Sequence, residues 1–151
     1  MTETSQRSLS WVPYACLVLI TIGIAVATYL TITHYTTVVT LVCPDTGIIN
    51  CAKVTSSSYS VIDGIPLAVM GLIYFIAIFA LYLPKNWQSK NPLLKWARFA
   101  AVGAGMLMVF WLLYVELFLL NAFCLYCTSL HIIILLLFIL TVFGTALMPK
   151  N

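Results

Sequence analysis

Charge is what this sequence has least of. Four acids and seven Lys/Arg occur in 151 residues, 7% in all, where a soluble domain carries about 25%. So few charges cannot cover a water-facing surface, which excludes a soluble globular protein. No run of Lys or Arg forms a basic patch, and the net charge is only +3; nucleic acid is not expected as a partner. Repeats and low-complexity segments are also missing, although Thr and Ser are frequent from Thr31 to Ser60. The length suits one domain, 1–151. What is abundant is apolar surface, 63% of the residues, and membrane lipid is the partner it calls for.

A helix rises about 1.5 Å per residue, so a hydrocarbon core of about 30 Å needs about 20 apolar residues. Four stretches come within that tolerance, at about 11–33, 66–83, 96–120 and 127–147. The expected fold is therefore all-α, an integral membrane four-helix bundle with a long loop, about 34–65, between helices 1 and 2. Pro66 suits a first helical turn, where its missing N–H is not needed. Pro84 stops the second helix, and the polar residues up to Pro92 read as a short turn. Trp11, Trp87 and Trp96 fall at span boundaries, as interfacial aromatics do. Gly71, Gly103 and Gly105 suit close helix packing. Ala25-Val26-Ala27 offers a rival reading as a signal-peptide cleavage site, but the apolar run continues to Ile32, long enough to span.

The few basic residues set the orientation. Lys85, Lys90, Lys95 and Arg98 lie between or beside the second and third helices with no acid among them. Arg7 and Lys150 lie at the termini, and the opposite side carries only Lys53, offset by Asp45 and Asp63. The positive-inside rule puts both termini and the 84–95 loop in the cytoplasm, and residues 35–64 and 121–126 outside.

Four of the five cysteines then fall on the outer side, where disulfides persist. Cys43 and Cys51 lie in the loop, and Cys124 and Cys127 at the start of the fourth helix. Cys16, inside the first helix, reads as a small buried apolar residue. Cys124-Leu125-Tyr126-Cys127 is a C-x-x-C at a helix N-terminus. Positions i and i+3 meet on a helix, so the two sulfurs can bond without unwinding the turn, and the positive end of the helix dipole favours a thiolate. Spacing leaves three readings open: redox-active pairs, static disulfides in a non-enzymatic membrane module, or zinc. Zinc sites usually repeat the C-x₂₋₄-C spacing in both halves, whereas seven residues separate Cys43 from Cys51.

The segment Cys51-Ala52-Lys53-Val54-Thr55-Ser56-Ser57-Ser58-Tyr59, followed by Gly64-Ile65-Pro66-Leu67-Ala68-Val69-Met70-Gly71, resembles the vitamin K epoxide reductase family, particularly its prokaryotic members. The four-helix layout, the loop pair Cys43/Cys51 and the Cys124/Cys127 motif match as well, so the likeness covers nearly the whole chain. It implies a multi-pass plasma-membrane oxidoreductase with its active site on the periplasmic or extracellular face. Electrons would run from a thioredoxin-like (DsbA-like) protein to Cys43–Cys51, then through Cys51 to Cys124/Cys127, and on to a quinone of the ubiquinone, menaquinone or vitamin K type. No metal is implied. Many prokaryotic members carry a fused thioredoxin-like domain; this chain stops after its fourth helix, so the expected partner is a separate protein. Where animal members present an asparagine to the quinone, Leu67 stands here, and His131 replaces their tyrosine. These departures count against vitamin K epoxide as the substrate and leave simple quinone reduction open; the expected role is quinone reduction supporting disulfide formation, with reduction of vitamin K quinone or its epoxide as the alternative.

Four further residues are candidates for contact with the quinone. Ser57 matches the serine that holds the family's loop over the site, with a helix cap as its plainer role. His131 lies at i+4 from Cys127 and i+7 from Cys124, on one helical face, and intramembrane histidines are functional by default. Glu116 is the only acid within an expected span; a pair with His131 would relay protons, while a hydrogen bond to a neighbouring helix is the plainer use. Tyr35, Tyr59 and Tyr126 are outer aromatics, of which Tyr59 is the best candidate for the pocket.

Overall fold

A computed structural model of the chain describes residues 11–36 and 41–146. The termini that carry Arg7 and Lys150, and the expected helix end at Leu147, lie outside the described residues. The chain is built from helices α1 (Val12–Tyr35), α2 (Cys51–Thr55), α3 (Leu67–Tyr82), α4 (Pro84–Trp87), α5 (Pro92–Tyr114) and α6 (Leu125–Ala146). A two-stranded hairpin, β1 (Val61–Ile62) and β2 (Ile65–Pro66), precedes α3, and a π-helical turn, Val115–Leu120, prolongs α5.

Three of these helices are long and apolar enough to cross a membrane: α1, α5 with its π turn, and α6. This is an all-α membrane protein. The fourth apolar helix, α3, has 16 residues, about 24 Å at 1.5 Å per residue. It packs lengthwise on α1, while α6 packs on both α1 and α5. The core between them holds Cys16, Ile20, Ala27, Phe75, Ile78, Val102, Val109, Ile134 and Leu137. Outward faces are equally apolar: Val18, Ile22, Ile73, Ile76, Leu107, Phe110, Ile132 and Phe143 are exposed. A helix apolar all round belongs in lipid.

Several expected boundaries move. Pro66 is not in a first helical turn; it pairs with Val61 in the hairpin, and α3 starts one residue later. The hairpin turn is Asp63-Gly64, with φ of 50° and 82°, the positive values that a two-residue type I′ turn demands. The stretch after Pro84 is not only a turn, because residues 84–87 form α4. The third helix begins at Pro92, four residues early, with Asn91 Oδ1 accepting from the Leu93 N–H at 3.0 Å. The fourth begins at Leu125 rather than at Cys127.

Two cytoplasm-assigned side chains are not at the surface. Trp87 is buried rather than interfacial, and the buried Arg98 guanidinium lies 4.5 Å from its ring centroid. Arg98 Nη1 also donates to the Asn86 carbonyl at 3.3 Å. Trp11 and Trp96 are exposed, as interfacial residues should be. Cys16 is fully buried in the core. Of the three glycines, Gly105 sits where an added Cβ would collide with Tyr74, whereas Gly71 and Gly103 have open space beside them.

Candidate functional site

The loop after α1 is fastened to the end of the bundle by its backbone. Asn50 N–H donates to the Phe123 carbonyl at 3.0 Å, and Phe123 N–H to the Ile48 carbonyl at 2.8 Å, making a parallel bridge between Ile49 and Phe123. Each bridging residue stands just ahead of a cysteine in sequence. Asn50 also caps α2: its Oδ1 accepts from Lys53 N–H at 2.8 Å, and its amide donates to Asp45 at 3.2 Å. On the other flank, Tyr126 donates its hydroxyl proton to the Val42 carbonyl at 2.9 Å, and the Val42 N–H reaches the Tyr29 hydroxyl at 3.4 Å. The Tyr29 and Tyr126 rings are 5.2 Å apart.

This fastening gathers the four outer cysteines. Cys43 and Cys51 form a disulfide, while Cys124 and Cys127 are free thiols. Cys51 and Cys124 are both buried, in one cluster with Val54 and Ala122, against which Cys43, Tyr126 and Cys127 pack. Cys51 therefore shares its surroundings with both of its prospective partners. The Cys124 sulfur lies at the α6 entrance and accepts the Cys127 N–H at 3.4 Å. Hydrogen bonds from the Cys127 thiol and from the Cys127 and Tyr126 backbone outweigh burial and lower the Cys124 thiol from 9.0 to about 7.

Behind the cysteines lies a cavity of about 540 Å³, within the range of small-molecule sites. Cys127 opens onto it. All four non-cysteine candidates line it as well: Ser57, Tyr59, Glu116 and His131. Leu67 also lines it, adding an apolar side chain to the wall. Most of the remaining wall is apolar, from Leu30 on α1 through Phe75 and Met108 to Ile134. Tyr35 and Tyr126 are not in this wall; Tyr35 is exposed at the last position of α1, and Tyr126 bonds the loop at Val42.

Two side-chain atoms of residues that line this space lack partners among the described residues. Glu116 Oε2 and His131 Nδ1 are buried without a hydrogen bond, so these two atoms do not bond each other. An orphaned polar atom in an apolar wall costs about 1–3 kcal/mol, and a substrate with hydrogen-bonding oxygens would satisfy both. Ser57 does not act as a side-chain cap; its hydroxyl donates to the Val54 carbonyl at 2.8 Å and ties the loop to α2. Among the described residues, no group of three or more His, Cys, Asp or Glu is placed to hold a metal ion.

Tyr29, Asn50 and Asn121 escaped the sequence reading. Tyr29 had a signal, an amphipathic ring near the outer end of a span. Asn50 had one too, an N-cap residue just ahead of a helix-compatible run. Asn121, held at φ 48° at the end of the π turn, had only its residue type.

The family model of the vitamin K epoxide reductases matches residues 14–142. That span runs from α1 through both cysteine pairs into α6, and members of this family are quinone-linked oxidoreductases. On the match and on the paired cysteines it encloses, the chain belongs to the vitamin K epoxide reductase family.

Proposed function

We propose that this protein is a membrane thiol–disulfide oxidoreductase that draws electrons from a thioredoxin-like (DsbA-like) partner and delivers them to a membrane quinone. The observation that carries this reading is the shared cavity. Cys127 opens onto it beside two orphaned polar groups, while Cys124, three residues away, is packed against the loop cysteine Cys51.

The electron path balances in two-electron steps. The partner's dithiol reduces Cys43–Cys51 and leaves as a disulfide. The Cys51 thiolate attacks Cys124 of an oxidised Cys124–Cys127 pair, forming a 51–124 bond and releasing Cys127 as a thiolate. Cys43 then attacks Cys51 and frees Cys124. The loop is again a disulfide and Cys124/Cys127 a dithiol, the combination seen here. Oxidation of that dithiol by the quinone gives quinol and restores the starting state. His131 and Glu116 supply hydrogen-bonding groups for the quinone oxygens; Ser57 and Tyr59 close the cavity from the loop side. The oxidised partner then introduces disulfides into exported proteins.

In the bilayer, α3 joins the three longer helices as a fourth span. Its short length is extended at one end by the hairpin and at the other by α4. Lys85, Lys90 and Lys95 hold the α4 end in the cytoplasm of a plasma membrane. The cysteines then face the periplasm or the cell exterior.

The test is dithiol-driven quinone reduction by the purified protein in detergent, beside Cys127→Ser. Turnover that disappears in the variant is the expected result, with a 51–124 disulfide trapped there by the reverse exchange, in which the Cys124 thiolate attacks Cys43–Cys51 and releases Cys43. No turnover with ubiquinone, menaquinone or vitamin K analogues would favour a module with static disulfides. Turnover with vitamin K analogues alone would favour the vitamin K reductase alternative.

A further inference from the structure

The six residues that prolong α5, Val115–Leu120, leave α geometry. Asn121 N–H and Ala122 N–H both donate to the Glu116 carbonyl, the latter at 3.1 Å. Single π turns of this kind concentrate at functional sites, and this one carries the only acid of the apolar helices. Glu116 is 2% exposed and its Oε2 has no partner among the described residues. A role in holding a neighbouring helix would have supplied that oxygen with a donor. Instead the side chain lines the cavity together with Cys127 and His131.

We propose that Glu116 is the catalytic base that takes the Cys127 thiol proton and delivers it to the quinone, an inference that rests on the quinone reading above. Closing the Cys124–Cys127 bond oxidises two thiols, releasing two electrons and two protons; reducing a quinone to quinol consumes the same number of each. The Cys124 proton is the second of the pair and balances the one taken up by the second quinone oxygen. Cys127 faces the apolar cavity and needs an acceptor inside it. The Glu116 carboxylate takes that proton as the Cys127 thiolate forms. It gives the proton to the nearer quinone oxygen as the electrons leave sulfur, and so returns to the carboxylate. Net stoichiometry is unchanged: one dithiol and one quinone become one disulfide and one quinol.

The experiment uses the full chain in detergent with dithiothreitol and a short-tailed ubiquinone analogue, comparing wild type, Glu116→Gln, Glu116→Asp and Cys127→Ser across pH. Other titratable groups at the site are Cys127 and His131 on α6, Cys124 just ahead of it, His34 on α1, Tyr74 on α3 and Tyr59 in the loop. A carboxylate base makes the wild-type rate fall at acid pH as it becomes protonated, and loss of that acidic limb in the Gln variant assigns it to Glu116. Glu116→Gln should lower kcat by about 100-fold, the lower range of a general acid–base contribution, and flatten the limb. Reduction of Cys43–Cys51 by dithiothreitol should continue at the wild-type rate. Glu116→Gln that turns over like wild type, or that slows with its pH profile intact, overturns the proposal while an inactive Cys127→Ser leaves the quinone reading standing. A wild type that reduces no quinone overturns both. Should the Gln variant also lose loop reduction, Glu116→Asp decides: the limb moves along the pH axis if the acid carries it, and an unmoved limb overturns the assignment.

Discussion

At the scale of single residues, Cys124 is set apart by its hydrogen bonds. A thiol with its ionisation at about 7 is about half thiolate at neutral pH, against roughly 1% for one near 9. Above that point the sulfur is a ready nucleophile; below it the proton returns and exchange slows. A thiolate absorbance titration of the protein should accordingly show one sulfur ionising near pH 7. In Cys127→Ala, which removes the first of its donors, that ionisation should move upward by about a unit or more, since hydrogen bonding to the charged form is what holds it down. The site's residue types were legible in the sequence for the same chemical reason. Cys, His and Glu are costly in an apolar span, so Cys127, His131 and Glu116 stood out wherever they fell. What could not be read was their mutual placement. That Glu116 and His131 leave atoms unpartnered, rather than bonding each other as a relay, depends on where α5 ends and α6 begins.

At the scale of elements, two backbone positions govern how the pieces meet. A Cβ added at Gly23 of α1 would lie within 2.8 Å of three Phe75 ring atoms on α3, and Phe75 also lines the cavity. Gly23→Ala should therefore cost about 1–3 kcal/mol, the usual range for overpacking, read as a lower Tm in detergent. Asn121 turns the chain from the π segment towards the C-x-x-C at φ 48°. Asn121→Gly should be tolerated, whereas a β-branched Asn121→Val should cost about 1–3 kcal/mol and slow loop-to-helix disulfide exchange; equal stability of the two variants would remove the strain argument. The long helices were legible because apolar runs of that length have few other uses. Their ends were less so. Pro66 satisfies a helix start and a strand edge equally well, and the Asp63-Gly64 turn that decides between them was visible in the residues but was not weighed. The π turn left no mark in composition, since Val115–Leu120 reads as ordinary apolar helix.

At the scale of the whole molecule, apolar surface points outward from every long helix, and charge collects at one end. Exposed Lys85, Lys90 and Lys95 flank α4, opposite the end that holds the cysteines. In the proposed orientation, a cysteine introduced at Ser89 in a background without other cysteines should react with a membrane-impermeant maleimide only after the cells are permeabilised. One at Thr46 should react in intact cells; the reverse pattern would invert the assignment. Arg98 shows why counting charges along a sequence misplaces individual residues. It belongs to the basic end, but it lies under Trp87 rather than in water.

The bridge between Ile49 and Phe123 has a consequence for time rather than for shape. It ties the peptide just before Cys51 to the peptide just before Cys124, so these two sulfurs never have to find each other by diffusion. Their exchange is a unimolecular event with a fixed effective molarity. Diluting the protein leaves that internal step untouched, while delivery of electrons to the loop from outside slows in proportion. Throughput is then governed by supply at the surface, and the interior stays ready between arrivals.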